Sequence, residues 1–355
     1  MTNHAIIWPD ALDQTGPDPL YVLRSTAAVM QFTRDVTIEP DAINAVADRL
    51  VARNVSPEWD ATLHNPSWIV SGDIERLTMW VMVLDALNFC FWGQGSNPDI
   101  RWRVERDRTL LDGYVALVAA LERGAREGER LDDPDRLAAM DRESIAHLLR
   151  PAPGQQEIPL LEERVRNIRE LGRGLNALES DTPATELLRR ANGSAIELIR
   201  DIVRLFPSFN DVVTWRRAET GLPGNEVRFY KRAQILVGDL SGALQGTPYG
   251  RFHDLGQLTA FADYKVPQVL HRLGILCYSN DLIARISRRE RIPAGSAMEI
   301  EIRAATIWGC ELLRQEMTRR GHVIAAHELD WLLWEQGQSL PKDALPYHLT
   351  PTIFY

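Results

Sequence analysis

Lysine is almost missing from this chain of 355 residues. Of its 40 basic residues only Lys231, Lys265 and Lys342 are lysines, so arginine is used nearly everywhere a cation is needed. A retained lysine is either a neutral surface position or a place where arginine would not serve. Cysteine is scarce too. Cys90, Cys277 and Cys310 each sit in apolar surroundings and form no C-x-x-C pair, which fits a reducing compartment and reads as buried, inert thiols. Long hydrophobic runs are lacking. The most apolar stretch, from Leu77 to Trp92, is interrupted by Asp85 and Asn88 and is too short to span a bilayer. The opening residues MTNHAIIWPDALD carry no basic region followed by an apolar core, so no secretory signal is expected and the protein reads as cytoplasmic. An excess of positive charge is missing as well: 40 basic against 49 acidic residues leave −9. Such a chain is poorly suited to gripping a nucleic-acid backbone, where Lys and Arg must displace counterions. Small-molecule or protein partners are favoured, and a local basic pocket can still hold one phosphate.

Hydrophobic residues make up 45% and charged residues 25%, an ordinary globular mixture. The length suits about two domains or one large one. Helical periodicity runs through 41–53, 74–92, 107–123, 135–149, 158–178 and 184–206, and again through 225–244, 255–264, 267–275, 280–290, 296–320 and 323–337. Only 99–104 and 210–216 alternate weakly like strands. The stretch 124–156 is charged and contains proline, and reads as a solvated surface region or connector. No internal repeat is evident. The expected fold is all-α over 1–355, with two helical lobes and a cleft between them.

Ser296-Ala-Met-Glu299 is a capping box after the turn Ile292-Pro-Ala-Gly295, so 280–320 has a helix–hairpin–helix pattern. Pro267 breaks the chain after Phe261-Ala-Asp-Tyr-Lys265, which puts Asp263 and Tyr264 at a helix end beside the break. Several motifs fail. His327-Glu-Leu-Asp-Trp331 has tryptophan where H-E-x-x-H needs its second histidine, so no catalytic zinc site is indicated. Gly93-Gln-Gly95 lacks the third glycine of a dinucleotide fingerprint, and neither a P-loop nor a G-x-S-x-G elbow is found.

Three segments could carry chemistry. On a helix through 77–92, Asp85, Asn88, Phe89 and Trp92 share one stripe. That stripe is either the wall of a slot for a planar heterocycle or a buried Asp paired to a cation. In FYKRAQILVGD (229–239), Lys231 can hold a phosphate as a point charge or pair with a core carboxylate. In HELDWLLWE (327–335), Asp330 lies four residues from Trp334, and Trp331 four from Glu335. A carboxylate flanked by indoles is partly desolvated and attracts a developing cation, whereas on a surface helix it would be only a solvated acid.

NFCFWGQG (88–95), FPSFND (206–211), FYKRAQILVGDL (229–240), LTAFADYKVPQVLHRLGIL (258–276), GSAMEIEIRAATIWGCELL (295–313) and HELDWLLWE together resemble the queuosine salvage protein family. The resemblance covers the chain from about His64 to its end, apart from 124–156. It implies a helical queuosine 5′-phosphate N-glycosylase similar to helix–hairpin–helix DNA glycosylases. Such an enzyme hydrolyses the bond between a 7-deazaguanine base and ribose 5-phosphate to release queuine, with neither metal nor other cofactor. On that resemblance Asp330 is the carboxylate facing the oxocarbenium-like transition state. Asp263 reads the base edge, with Phe261 and Tyr264 packing on the heterocycle; the two carboxylates could exchange roles. His64 joins the pocket, as do Phe89, Trp92, Trp331, Trp334 and Glu335. Lys231 serves the phosphate or a bridging ion pair. The rivals are a nucleosidase for another purine-like substrate and a helical module that binds modified nucleotides or tRNA without cleaving them.

Overall fold

A computed structural model of the protein describes residues 8–55, 69, 72–93, 100–216, 224–341 and 343–355. The chain divides into two compact units. One comprises 1–58, 211–231 and 256–351, the other 59–210, 232–255 and 352–355. The architecture is mainly α, with three short antiparallel strand pairs among the described residues; the candidate 210–216 holds the strand Val212–Trp215, whereas 99–104 only overlaps the start of Arg103–Arg106.

The first unit is built around the helix Ala297–Arg319, buried along almost its whole length from Glu299 to Leu313. Val22–Met30, Pro40–Ala52, Val266–Arg272 and Ala326–Gln338 pack on it. Enclosure from several sides explains why its sequence shows no single apolar stripe. Its start is half of the expected capping box. Ser296 accepts from the Glu299 amide, but the Glu299 carboxylate reaches the Gly295 amide at 3.0 Å rather than that of Ser296. It ends in a Schellman turn, where Gly321 at φ 85° lets the His322 amide reach Met317 O and its own amide reach Thr318 O. Glu301, fully buried on this helix, accepts from the Arg34 and Asp35 amides at 2.9 and 2.8 Å. That fixes the entry to strand Val36–Ile38, which pairs antiparallel with Leu276–Tyr278. Period-two alternation turns Cys277 outward on this ladder, so it is exposed, not buried as expected; Cys90 and Cys310 are buried. Val212–Trp215 and Asn225–Arg228 form a second pair, so 225–228 is strand and the helix expected over 225–244 starts only at Lys231.

The second unit corrects the reading of 74–92. Its helix stops at Ala86, and 87–92 is irregular, with Cys90 at φ 42°. Two buried arginines take the place of continued helix. Arg232 donates to Asp85 O and Ala86 O, each at 3.0 Å. Arg164 donates to the carbonyls of Leu87, Phe89 and Cys90, with its guanidinium 4.2 Å above the Phe89 ring. Carbonyls left unpaired at a helix end are satisfied by cations as well as by further helix. The proposed stripe of Asp85, Asn88, Phe89 and Trp92 therefore does not exist. Before Gly113–Arg126 stands a hairpin of Arg103–Arg106 and Thr109–Asp112, turning at Asp107 and Arg108, both with positive φ. The region 124–156 is not a solvated connector. Leu137, Met140, Ile145, Leu148 and Leu149 are buried, and Pro134–Ala139 lies against Leu161–Asn176.

Candidate active site

The segment 258–265 is not the expected helix. It runs as an irregular strap from Leu258 to Lys265 in the first unit, and residues 258–263 are all buried. A buried strap needs partners for its backbone groups. Asp330, on the helix Ala326–Gln338, accepts the Phe261 amide through Oδ1 at 2.8 Å. Arg303 donates through Nε to Ala262 O at 3.2 Å. Asp263 turns its own Oδ1 onto the amides of Lys265 and Val266, both at 2.8 Å, and so covers the start of the helix Val266–Arg272. Asp263 thus precedes a helix instead of ending one.

The two carboxylates share a pattern. Both are buried, both are anchored by backbone amides through Oδ1, and neither has a hydrogen bond to Oδ2 among the described residues. Burial pushes the Asp330 carboxyl well above the usual carboxylate range, and the neighbouring charge of Asp263 pushes it further. Burial likewise raises Asp263, while Lys231 pulls both back toward ionisation. Lys231 is itself buried, and its amide donates to Asp211 Oδ2 at 3.3 Å. The thiol of Cys310, on the long helix, is raised by burial and by both carboxylates, which places it in the same electrostatic neighbourhood.

The structure brings together Asp263, Asp330, Lys231 and Phe261, the last fully buried. Trp331 and Trp334 are half-buried on the Asp330 helix, and Glu335 is exposed. Tyr264 packs against Tyr347 at 4.8 Å between ring centroids. Phe89 and Trp92 belong to the arginine-held core of the second unit. His64 lies outside the described residues.

Sequence reasoning missed the support beneath the strap. Arg303 forks onto Asp211, lies 3.6 Å from Glu299, and stacks 3.8 Å from the Phe229 ring. Glu299 and Arg303, four apart on the long helix, were the available signal. His327, one turn before Asp330, has its ring edge-on to Trp331 at 5.5 Å.

Comparison with known proteins follows the same landmarks. A family model described as queuosine salvage protein matches residues 69–355. A protein of Sphaerobacter thermophilus named queuosine 5′-phosphate N-glycosylase/hydrolase is 48% identical over 339 residues, covering 95% of this chain and 98% of its own. Proteins with the same name from Dictyostelium discoideum and Bos taurus are each 33% identical, covering 95% of this chain and all of their own.

Proposed function

The chain belongs to the queuosine salvage protein family, and we propose on that premise that it hydrolyses the N-glycosidic bond of queuosine 5′-phosphate, releasing queuine and ribose 5-phosphate. The observation that carries the mechanism is the matched pair Asp263 and Asp330, each held by Oδ1 alone. In the reaction the C1′–N bond breaks and its electron pair leaves with the base. The ribosyl centre gains oxocarbenium character, and water adds at C1′ as it gives up a proton, a proton that ends on the departing base nitrogen. A 7-deazaguanine has carbon at position 7, so protonation there cannot ease departure of the base. More of the barrier then falls on stabilising the ribosyl cation, which needs a fixed carboxylate in a water-poor site.

Asp330 takes that role, and Asp263 meets the edge of the base. Two buried carboxyls that repel each other hold one charge more readily than two. The pair therefore supplies one carboxylate and one acid that share a proton, between the cation and the base. Lys231, close enough to favour the charged form of both, fits the bridging ion pair better than the phosphate. Trp331, Trp334, Tyr264 and Glu335 complete the reading as substrate contacts, whereas Phe89 and Trp92, packed in the arginine-held core of the second unit, drop out of it. The helix Asn280–Ser287, the turn after it and the helix Ala297–Arg319 support a likeness to helix–hairpin–helix glycosylases. Among the described residues no helix is long and apolar enough to cross a membrane. With a charge of −9, the reading is of a cytoplasmic enzyme for a mononucleotide with no duplex DNA partner.

The test is incubation with queuosine 5′-phosphate and, separately, with queuosine-containing tRNA, following queuine by mass spectrometry. Release from the mononucleotide is expected. Release from intact tRNA alone overturns the reading.

A further inference from the structure

His327 is the polar group near Asp330 that the mechanism leaves unused. It is 4% exposed, and its Nδ1 is fully buried without a hydrogen-bond partner. Leaving a buried imidazole nitrogen unpaired is costly, and folded proteins rarely do so without a reason. His271 in the same unit shows the ordinary solution, its Nδ1 bonded to Leu276 O at 2.9 Å. On the helix Ala326–Gln338, His327 and Asp330 are three apart, so their Cβ atoms lie roughly 5–6 Å from each other on one face. Trp331 meets the His327 ring edge-on and limits its rotation.

We propose that Nδ1 of His327 hydrogen-bonds the 2′-hydroxyl of the substrate ribose, making His327 the residue that selects ribonucleotide over 2′-deoxyribonucleotide. The proposal rests on the reading of Asp330 as the carboxylate at C1′. The 2′-oxygen is one carbon from that centre, within reach of a group one helical turn from Asp330. A hydroxyl both donates and accepts, so it suits a neutral imidazole in either tautomer. Burial lowers the His327 pKa to about 4, which keeps the ring neutral at ordinary pH and makes it a poor counter-charge for the phosphate. Hydrogen bonds to the hydroxyl beside the anomeric carbon strengthen as a glycosyl cation forms, so the contact should act on turnover as well as on binding.

Single-turnover hydrolysis of queuosine 5′-phosphate and of its 2′-deoxy analogue tests this in the wild type, His327→Phe, His327→Asn and His327→Gln. Thermal melts establish that each variant is folded. His327→Phe should lose ~10–100-fold in kcat/KM on the ribonucleotide and little on the deoxynucleotide, so that the preference collapses. The amide of Asn reaches where Nδ1 stands and that of Gln where Nε2 stands. His327→Asn should therefore keep most of the preference and His327→Gln should lose it, a contrast that remains readable if the Phe variant does not fold. Equal losses on both substrates, or a preference unchanged in both His327→Gln and His327→Phe, overturn the proposal. Failure of the wild type to cleave the ribonucleotide at all would overturn the parent reading instead.

Discussion

Asp211 and Arg303 form a forked ion pair in the interior of one unit, each side chain only 2% exposed, with Nη1 3.0 Å from Oδ1. The pair ties the end of FPSFND to the middle of the long helix, and the same guanidinium holds Ala262 O, next to Asp263. Losing one partner of a buried pair costs roughly 3–5 kcal/mol, because the other charge is left uncompensated. Asp211→Asn should fall near the lower end, since Glu299 remains 3.6 Å from Arg303 as a partial counter-charge. Equilibrium denaturation reads the loss, and queuine calorimetry should show weaker binding as the strap shifts. A variant as stable as the wild type would mean that the pair is energetically idle.

Asp330→Asn and Asp263→Asn separate the two carboxylates. Removing the charge beside the cation while keeping its shape should lower kcat about 10²–10³-fold in Asp330→Asn, with queuine still bound. Asp263→Asn should weaken queuine binding itself, because a site built on hydrogen bonds discriminates strongly when one partner changes. Calorimetry beside single-turnover hydrolysis decides it, and the opposite pattern exchanges the two roles.

Much of this was legible in the sequence, and the failures have physical causes. The long helix could be read from its cap and its length, and Asp263 and Asp330 stood out as carboxylates beside a chain break and beside indoles. The helix through 87–92 could not be rejected, because what ends it is Arg164 and Arg232, which lie far along the chain. The strap at 258–265 has a helical pattern, yet its backbone is satisfied by Asp330 and Arg303 instead of by its own turns. Local periodicity cannot reveal such distant donors and acceptors. His327 looked like part of a failed zinc motif, and only burial shows that its nitrogen has no partner.

Gly172 offers a test of packing away from the chemistry. A Cβ there would come within 2.3 Å of Ala138 N and 2.5 Å of Pro134 O, both backbone atoms that cannot swing aside. Gly172→Ala should therefore force the helices Pro134–Ala139 and Leu161–Asn176 apart, although alanine is the better helix former. Overpacking of this kind costs about 1–3 kcal/mol, seen as a lower denaturation midpoint with an unchanged slope. A stabilised variant would show that these helices have room to separate.

The raised carboxyls give stability a pH dependence of definite sign. Asp330 ionises near pH 3.9 when unfolded but well above that when folded, so between the two values the folded state holds a proton that the unfolded state has released. The folded form thus binds more protons there, and stability falls as pH rises through that window. His348, lowered to about 3 by burial and then by Arg303, has the opposite effect: its contribution is lost as pH falls below about 6.5. The two slopes overlap in the wild type, but a difference between proteins isolates one of them. Asparagine cannot ionise, and its carbonyl can still accept the Phe261 amide. Asp330→Asn should melt close to the wild type near pH 4 and increasingly above it toward pH 8, while its hydrolysis is slower than the wild type's at every pH. Melting curves from pH 4 to 8 on both proteins measure the difference. A constant gap, or one that moves against the variant as pH rises, would show that the buried carboxyl is ionised in the folded protein without the expected cost.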